Sequence, residues 1–240
     1  MSTTGSNTGT PRLISLYTGV GGLDYGFEKA GFETAVALEF DATCCANLRT
    51  NRSWPLVEND IHQTSTREIL SRGKLQAGSA DLLIGGPPCQ PFSKSGYWAS
   101  GDARRLEDAR ADTLDAYLRV LREALPRVFL IENVPGLAFK GKSEGLERIQ
   151  SEIADINAEA GVDYRLSVKV LNAADYGAPQ MRERIVIIGD REGRTFNFPG
   201  ARHGTELGLQ PYHTSWDAIG DLPDQPNEPG LAVTGKWADL

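Results

Sequence analysis

Cysteine and histidine are scarce in this chain of 240 residues, with three of each. Cys44, Cys45 and Cys89 are too few and too unevenly spaced for a disulfide framework, and His62, the histidine nearest to them, offers no zinc-ligand spacing. A single reactive thiol stays open. Long apolar runs are missing too: none approaches the roughly 18 residues that would suggest a membrane span, and the opening MSTTGSNTGT has neither the basic start nor the apolar core of a secretory signal. A cytoplasmic protein is expected. Nor is there an excess of positive charge, since 25 Lys and Arg against 32 Asp and Glu give a net charge of −7. That argues against a protein that coats phosphate unaided with a basic face, although the sum does not exclude a local basic patch. What remains, 40% hydrophobic and 24% charged residues with no internal repeat, is the composition of a soluble globular protein, one large domain or two small ones.

The pattern is strand, glycine turn, helix, and then strand and helix again. Residues 12–18 form a short apolar run, 19–22 (GVGG) a permissive turn, and Leu23, Phe27 and Ala30 follow at helical spacing. Further strands are expected over 35–40, 80–85, 127–132, 166–171 and 184–189, with helices around 41–50, 114–125 and 146–160. Pro87 and Pro88 stop the strand over 80–85. Such alternation predicts an α/β sheet, largely parallel and covered by helices on both faces, which binds ligands at the carboxyl ends of its strands. From about residue 195 the chain is rich in Gly and Pro, with one short helical candidate at 215–222. A long irregular segment of this kind reads as a linker or as the edge of something larger. The expected organisation is a flexible head over 1–11, a catalytic and cofactor-binding domain over 12–194, and over 195–240 a linker or the incomplete start of a recognition region.

Several strand ends carry residues with chemistry. The turn Tyr17-Thr18-Gly19-Val20-Gly21-Gly22 lets the backbone approach a ligand closely and suits a nucleoside, but it lacks the G-x-G-x-x-G spacing and is equally a tight structural turn. Glu39 ends the next strand, where a carboxylate accepts from ribose hydroxyls or simply caps the strand. Asp60 is placed to receive an adenine amino proton or to cap a turn. The sharpest feature is Gly85-Gly86-Pro87-Pro88-Cys89-Gln90-Pro91-Phe92-Ser93, a stiff turn that presents a thiol at a strand's carboxyl end, where packing does not need one. Glu132-Asn133 ends another strand and points a carboxyl group toward the same cleft as Cys89. Arg182 and Arg184 precede the last apolar run and can clamp a phosphate or a base carbonyl, or form a solvated edge.

Taken together, six ordered blocks resemble the catalytic part of the DNA (cytosine-5) methyltransferase family. They are LISLYTGVGGLDYGFEKAGF, ALEFD, NDI, GGPPCQPFS, ENV and LNAADYGAPQMRERIVIIG, spread over residues 12–190. The resemblance implies the Rossmann-like fold of S-adenosylmethionine-dependent methyltransferases, a mostly parallel seven-stranded sheet with helices on both faces. It also implies S-adenosylmethionine as methyl donor without a metal, and a cytosine flipped out of duplex DNA as acceptor. By matching position, Cys89 is the nucleophile toward cytosine C6, Glu132 holds and protonates N3, and Arg184 contacts the cytosine carbonyl with Arg182 nearby. Cofactor contacts are implied for Tyr17, Gly19, Gly21, Gly22, Glu39, Phe40, Asp60, Ile61 and Pro87. Gln90 and Ser93 lie on the loop that closes over DNA, and Asn133 shapes the turn beneath the base.

Three departures qualify the resemblance. Tyr17 stands where the family more often has Phe, and both pack against adenine. Residues 108–114 resemble the family only loosely, so no cofactor contact is assigned there. The target-recognition region and the last two family blocks would follow residue 240, so a recognition portion, continuous or on a separate chain, is expected as a partner. Two rival readings are an RNA cytosine-5 methyltransferase of the same fold and a non-catalytic fragment that binds DNA or a partner chain. An amino-group methyltransferase has no use for the PPCQ thiol.

Overall fold

A computed structural model describes residues 9–88, 112–138 and 144–222. Seven strands, β1 (Arg12–Leu16), β2 (Glu33–Glu39), β3 (Leu56–Glu58), β4 (Leu82–Gly85), β5 (Val128–Asn133), β6 (Arg165–Asn172) and β7 (Glu183–Asp190), form one sheet in the order β3-β2-β1-β4-β5-β7-β6. The pairs β1–β2, β2–β3, β1–β4 and β4–β5 are parallel, whereas β5–β7 is antiparallel. The helices are α1 (Gly22–Lys29), α2 (Ala42–Asn51), α3 (Thr66–Arg72), α4 (Asp112–Ala124), α5 (Glu144–Ala160) and α6 (Ser215–Ile219). This is the mostly parallel seven-stranded sheet with flanking helices of the Rossmann-like methyltransferase fold.

Two compact units divide the chain, Met1–Val170 with Arg184–Phe198, and Leu171–Glu183 with Pro199–Leu240. In the first, side chains alternate between the two faces of the sheet with the strand period of two. Ile14, Leu16, Leu83, Phe129, Ile131, Ile185 and Ile187 join Ile69 of α3, the inner stripe of α4 and Ile149, Ile153 and Ile156 of α5 in the main core. The alternate positions Leu13, Leu82 and Ile84 face the other way, where Phe27 of α1 and Phe32 pack with Val128 and Leu130. Among the described residues that second face is covered less completely. A cavity of about 470 Å³ opens there, walled by Phe27, Phe32, Leu82, Val128, Leu130, Ile188 and Phe196 and rimmed by Asp81, Arg127 and Arg194.

In the second unit Asp175 is the organising residue. Its carbonyl accepts from the Arg202 and His203 amides at 2.7 and 2.9 Å, and its carboxylate accepts from the Tyr212 hydroxyl at 3.0 Å. Tyr176 donates to the Pro199 carbonyl at 3.0 Å, and Thr214 with Asp217 forms a capping box on α6. The Gly- and Pro-rich stretch is thus tied by hydrogen bonds rather than by a core.

Between β1 and α1 lies a buried polar network. Asp24, fully buried, accepts from Ser15 Oγ at 3.0 Å, and Thr18 Oγ1 donates to Ser15 Oγ at 3.0 Å, all beneath the glycine turn. Burial pushes the Asp24 carboxyl up to about 6, against the hydrogen bond from Ser15 that lowers it. The folded state therefore holds this proton more tightly than the unfolded chain does. The resulting stabilisation is complete below the unfolded pKa of about 3.9 and is lost as pH rises through about 6. Asp24→Asn, which keeps the shape without the charge, should melt later than the parent at pH 8, by up to about 3 kcal/mol for two pKa units. The two should converge near pH 4, and equal separation at both pH values in thermal melts would show that folding does not raise the Asp24 pKa.

Candidate active site

The chain lays down β1, β2 and β3 toward one edge and then returns to place β4 on the other side of β1. At such a switch point the loops leaving the two central strands part and open a crevice. Leu16, the last residue of β1, pairs with Gly85 at the end of β4 and with Leu38 in β2, and Gly85 pairs with Ile131 in β5. Tyr17, Glu39, Gly86 and Glu132 therefore all emerge at one end of the sheet.

On the β1–β2 side the carboxylate of Glu39 is a hub. Its Oε1 accepts from the Phe40 and Asp41 amides, both at 2.9 Å, and its Oε2 accepts from the Gly19 amide at 2.7 Å. A carboxylate has about four acceptor sites; three are committed to the backbone and one remains on Oε2. Next to it is a cavity of about 180 Å³ lined by Tyr17, Leu38, Glu39, Phe40, Asn59, Asp60, Ile61, His62, Pro88 and Thr113. Asp60 shapes its own turn by accepting from the His62 amide at 2.9 Å. Flat apolar walls beside two carboxylates fit a nucleoside, its base between side chains and its hydroxyls toward an acceptor. Gly21, with φ 87, precedes α1 at a point where a Cβ would stand 2.9 Å from Trp54, and Gly22 starts the helix. Gly19, Gly21, Gly22 and Pro87 are not in the lining of this cavity.

On the β4–β5 side a Cβ at Gly86 would stand 3.2 Å from Glu132 Oε2, so the carboxylate lies directly against the start of the proline turn. Arg184 Nε meets Glu132 Oε1 at 2.9 Å. The antiparallel register sets Glu132 opposite Val186, which makes Arg184 its diagonal neighbour on the same face. Asn133, buried, donates from Nδ2 to the Pro87 carbonyl at 3.1 Å and accepts the Val134 amide at 2.8 Å, pinning the two strand exits together. Cys89, Gln90 and Ser93 lie outside the described residues, and Pro88 is the last described residue before them. Arg182 belongs to the second unit, where its amide donates to Asn172 Oδ1 at 3.0 Å and its carbonyl accepts the Ala173 amide at 2.9 Å.

The sheet end thus carries a carboxylate–guanidinium pair beside a proline turn that leads into a cysteine, next to a nucleoside-sized cavity. Residues 11–239 match the family described as C-5 cytosine-specific DNA methylase. The chain belongs to this family. Its members transfer a methyl group from S-adenosylmethionine to C5 of cytosine in DNA. Among relatives, the Type II methyltransferase M.AquIA of Picosynechococcus is 44% identical over 225 residues, covering 88% of this chain and 89% of that protein. The Type II methyltransferase M.SacI of Streptomyces achromogenes is 36% identical over 95% of this chain and 62% of its own length. Among solved structures, one described as a candidate DNA modification methyltransferase from an E. coli prophage aligns with a TM-score of 0.67 at 28% identity, over 90% of this chain and 56% of that one. The chain therefore spans only somewhat over half of two of these three relatives.

Within this DNA methylase the structure adds residues to the pocket that the sequence did not single out. Thr113, in the stretch left without a role, lines the cavity, as do Asn59, His62 and Pro88. Arg119 of α4 holds the cavity's rear wall: it donates to the carbonyls of Ile61 and Thr64 at 2.8 and 3.0 Å and to Thr66 Oγ1 at 3.1 Å. Nothing local marks it, since Asp115, Arg122 and Glu123 share its side of the helix. Among the described residues no group of three or more His, Cys, Asp or Glu could hold a metal, and no helix is long and apolar enough to cross a membrane.

Proposed function

We propose that this chain is the catalytic portion of a DNA (cytosine-5) methyltransferase that works through a covalent bond from Cys89 to C6 of a flipped cytosine. The observation that carries the reading is the Glu132–Arg184 pair, set against Gly86 at the sheet end where the proline turn leads into Cys89. S-adenosylmethionine, when bound, supplies an electrophilic methyl group. Glu39 would hold its ribose through the acceptor site left on Oε2, and Tyr17, Phe40, Ile61 and Asp60 would enclose and recognise the adenine. Gly19, Gly21 and Gly22 keep the loop beneath it close, and Pro87 fixes the exit of β4.

Cytosine C5 is too poor a nucleophile to take a methyl group unaided. The thiolate of Cys89 adds to C6, with N3 receiving a proton held by Glu132, and the electron pair of the opened double bond becomes available at C5. After C5 is methylated, water takes its proton, the double bond re-forms as the sulfur leaves C6 as a thiolate, and N3 returns its proton to Glu132. Arg184 orients the Glu132 carboxyl and reaches the cytosine carbonyl, with Arg182 beside the path. Asn133 sets the turn under the base, while Gln90 and Ser93 come from the loop that covers it. We place the enzyme in the cytoplasm, in a restriction-modification system or as an orphan methyltransferase, a reading that its Type II methyltransferase relatives support.

Recognition of the target sequence is assigned to a C-terminal portion, continuous with residue 240 or on another chain. Supporting this are the face over β4, β5 and β7, which the described residues cover incompletely, and the greater length of two of the three relatives above. Parallel sheets are stable with both faces buried. Residues 1–240 by themselves should transfer little labelled methyl to duplexes containing a defined site, and should gain site-specific transfer when joined to or mixed with a C-terminal portion. Efficient site-specific turnover by the 240-residue chain would remove the requirement.

A further inference from the structure

Tyr17 is an aromatic residue held at φ 56, a left-handed conformation that an L side chain adopts only when its surroundings impose it. Two contacts impose it. The ring packs on the main core, and the hydroxyl donates to the Thr113 carbonyl at 2.6 Å, across 96 residues of sequence. Thr113, in the first turn of α4, in turn donates from Oγ1 to the Pro88 carbonyl at 3.0 Å. That carbonyl belongs to the peptide bond joining Pro88 to Cys89. All three residues line the same cavity of about 180 Å³ beside Glu39 and Asp60.

The phenol is suited to a fixed donor. Burial, reinforced by the nearby Asp60 carboxylate, raises its pKa well above the usual phenol value, so it stays protonated throughout the working pH range. A phenylalanine would fill the same space against a base but would leave the Thr113 carbonyl without this donor. The hydroxyl therefore adds a connection that ring packing does not need.

We propose that Tyr17 is a positioning residue whose hydroxyl, through Thr113, ties the floor of the nucleoside cavity to the Pro88 carbonyl, so that filling the cavity is felt in the reactivity of the next residue, Cys89. The inference rests on reading the cavity as the cofactor site. A ligand pressed on the Tyr17 ring restrains the hydroxyl, the hydroxyl restrains the first turn of α4, and Thr113 Oγ1 restrains the Pro88 carbonyl.

The test uses the 240-residue chain, S-adenosylhomocysteine as the probe, and the alkylation rate of Cys89 by iodoacetamide, followed peptide by peptide. Cys45, wholly buried, serves as the internal reference. In the parent, saturating probe should change the Cys89 rate several-fold. In Tyr17→Phe, with the probe kept saturating for that variant as judged by calorimetry, the change should shrink to about half or less, the order expected for one lost buried hydrogen bond. Thr113→Val should behave like Tyr17→Phe, Thr113→Ser should restore the parent response, and the double variant Tyr17→Phe/Thr113→Val should be no worse than either. Shielding of the thiol by the probe would act equally in all variants. If the parent binds no S-adenosylhomocysteine, the cofactor-site reading fails. If it binds, but the Cys89 rate does not respond, or responds equally in Tyr17→Phe and Thr113→Val, the coupling is overturned and the cofactor site stands.

Discussion

Cys89→Ser is expected to lower methyl transfer by about 10³-fold or more, the scale on which loss of a covalent nucleophile is felt. It should also abolish the adduct trapped on DNA containing a fluorinated cytosine. Fluorine at C5 cannot leave as a proton does, so the sulfur–C6 bond persists once formed. A serine hydroxyl at the same place is almost wholly protonated at neutral pH and adds to C6 far more slowly. The other thiols offer no substitute. Cys45 is fully buried, donates toward the Glu39 carbonyl at 3.5 Å and is pushed by burial up to about 11, and the Cys44 thiol is raised as well, first by desolvation. The measurement is the denaturant-resistant protein–DNA complex formed by the complete enzyme with donor. An undiminished complex in Cys89→Ser would move the nucleophile elsewhere.

Glu39→Ala should weaken S-adenosylmethionine binding by about 2–5 kcal/mol, the range for truncating one partner of a buried, hydrogen-bonded charged contact. The effect has two sources. One is the ribose hydroxyl that loses its acceptor, and the other is the loop itself, because the Gly19, Phe40 and Asp41 amides lose theirs. Glu39→Gln should be nearly as damaging as alanine. Both carboxylate oxygens face backbone donors, so either orientation of the amide sets its NH2 group against an N–H. Calorimetry on the folded chain separates the outcomes, and unchanged affinity in Glu39→Ala would remove the assignment.

Most of the sheet was readable because buried strands are written as apolar runs that end in Gly, Pro or an acidic residue. β3 and α3 were not. Leu56–Glu58 is three residues long with one buried side chain, and α3 is a seven-residue helix held by Ile69 and Thr66, too short for a period to show. The reversal of β7 against β5 was also hidden, since strand direction is set by the path of the chain between strands and not by the residues within them. At the site, Glu39 and Glu132 stood out as carboxylates at strand ends, and Asp60 as the close of a short segment. Thr113 and Arg119 did not, because what they do is decided by where α4 packs, a tertiary matter with no local pattern. Tyr17 was noticed for its ring, whereas its hydroxyl acquires meaning only through a carbonyl distant in sequence.

Glu39 has three of its acceptor sites filled by the protein's own amides, so its remaining one is aimed without waiting for a ligand. In the cofactor assignment that site addresses a ribose, which fresh and spent donor share, since the two differ only at sulfur. This end of the pocket therefore grips both alike, and preference for the fresh donor has to arise at the sulfonium. Where the two are equally abundant, the by-product competes for the pocket after every turnover. The pace of DNA modification is then linked to how quickly the cell removes S-adenosylhomocysteine.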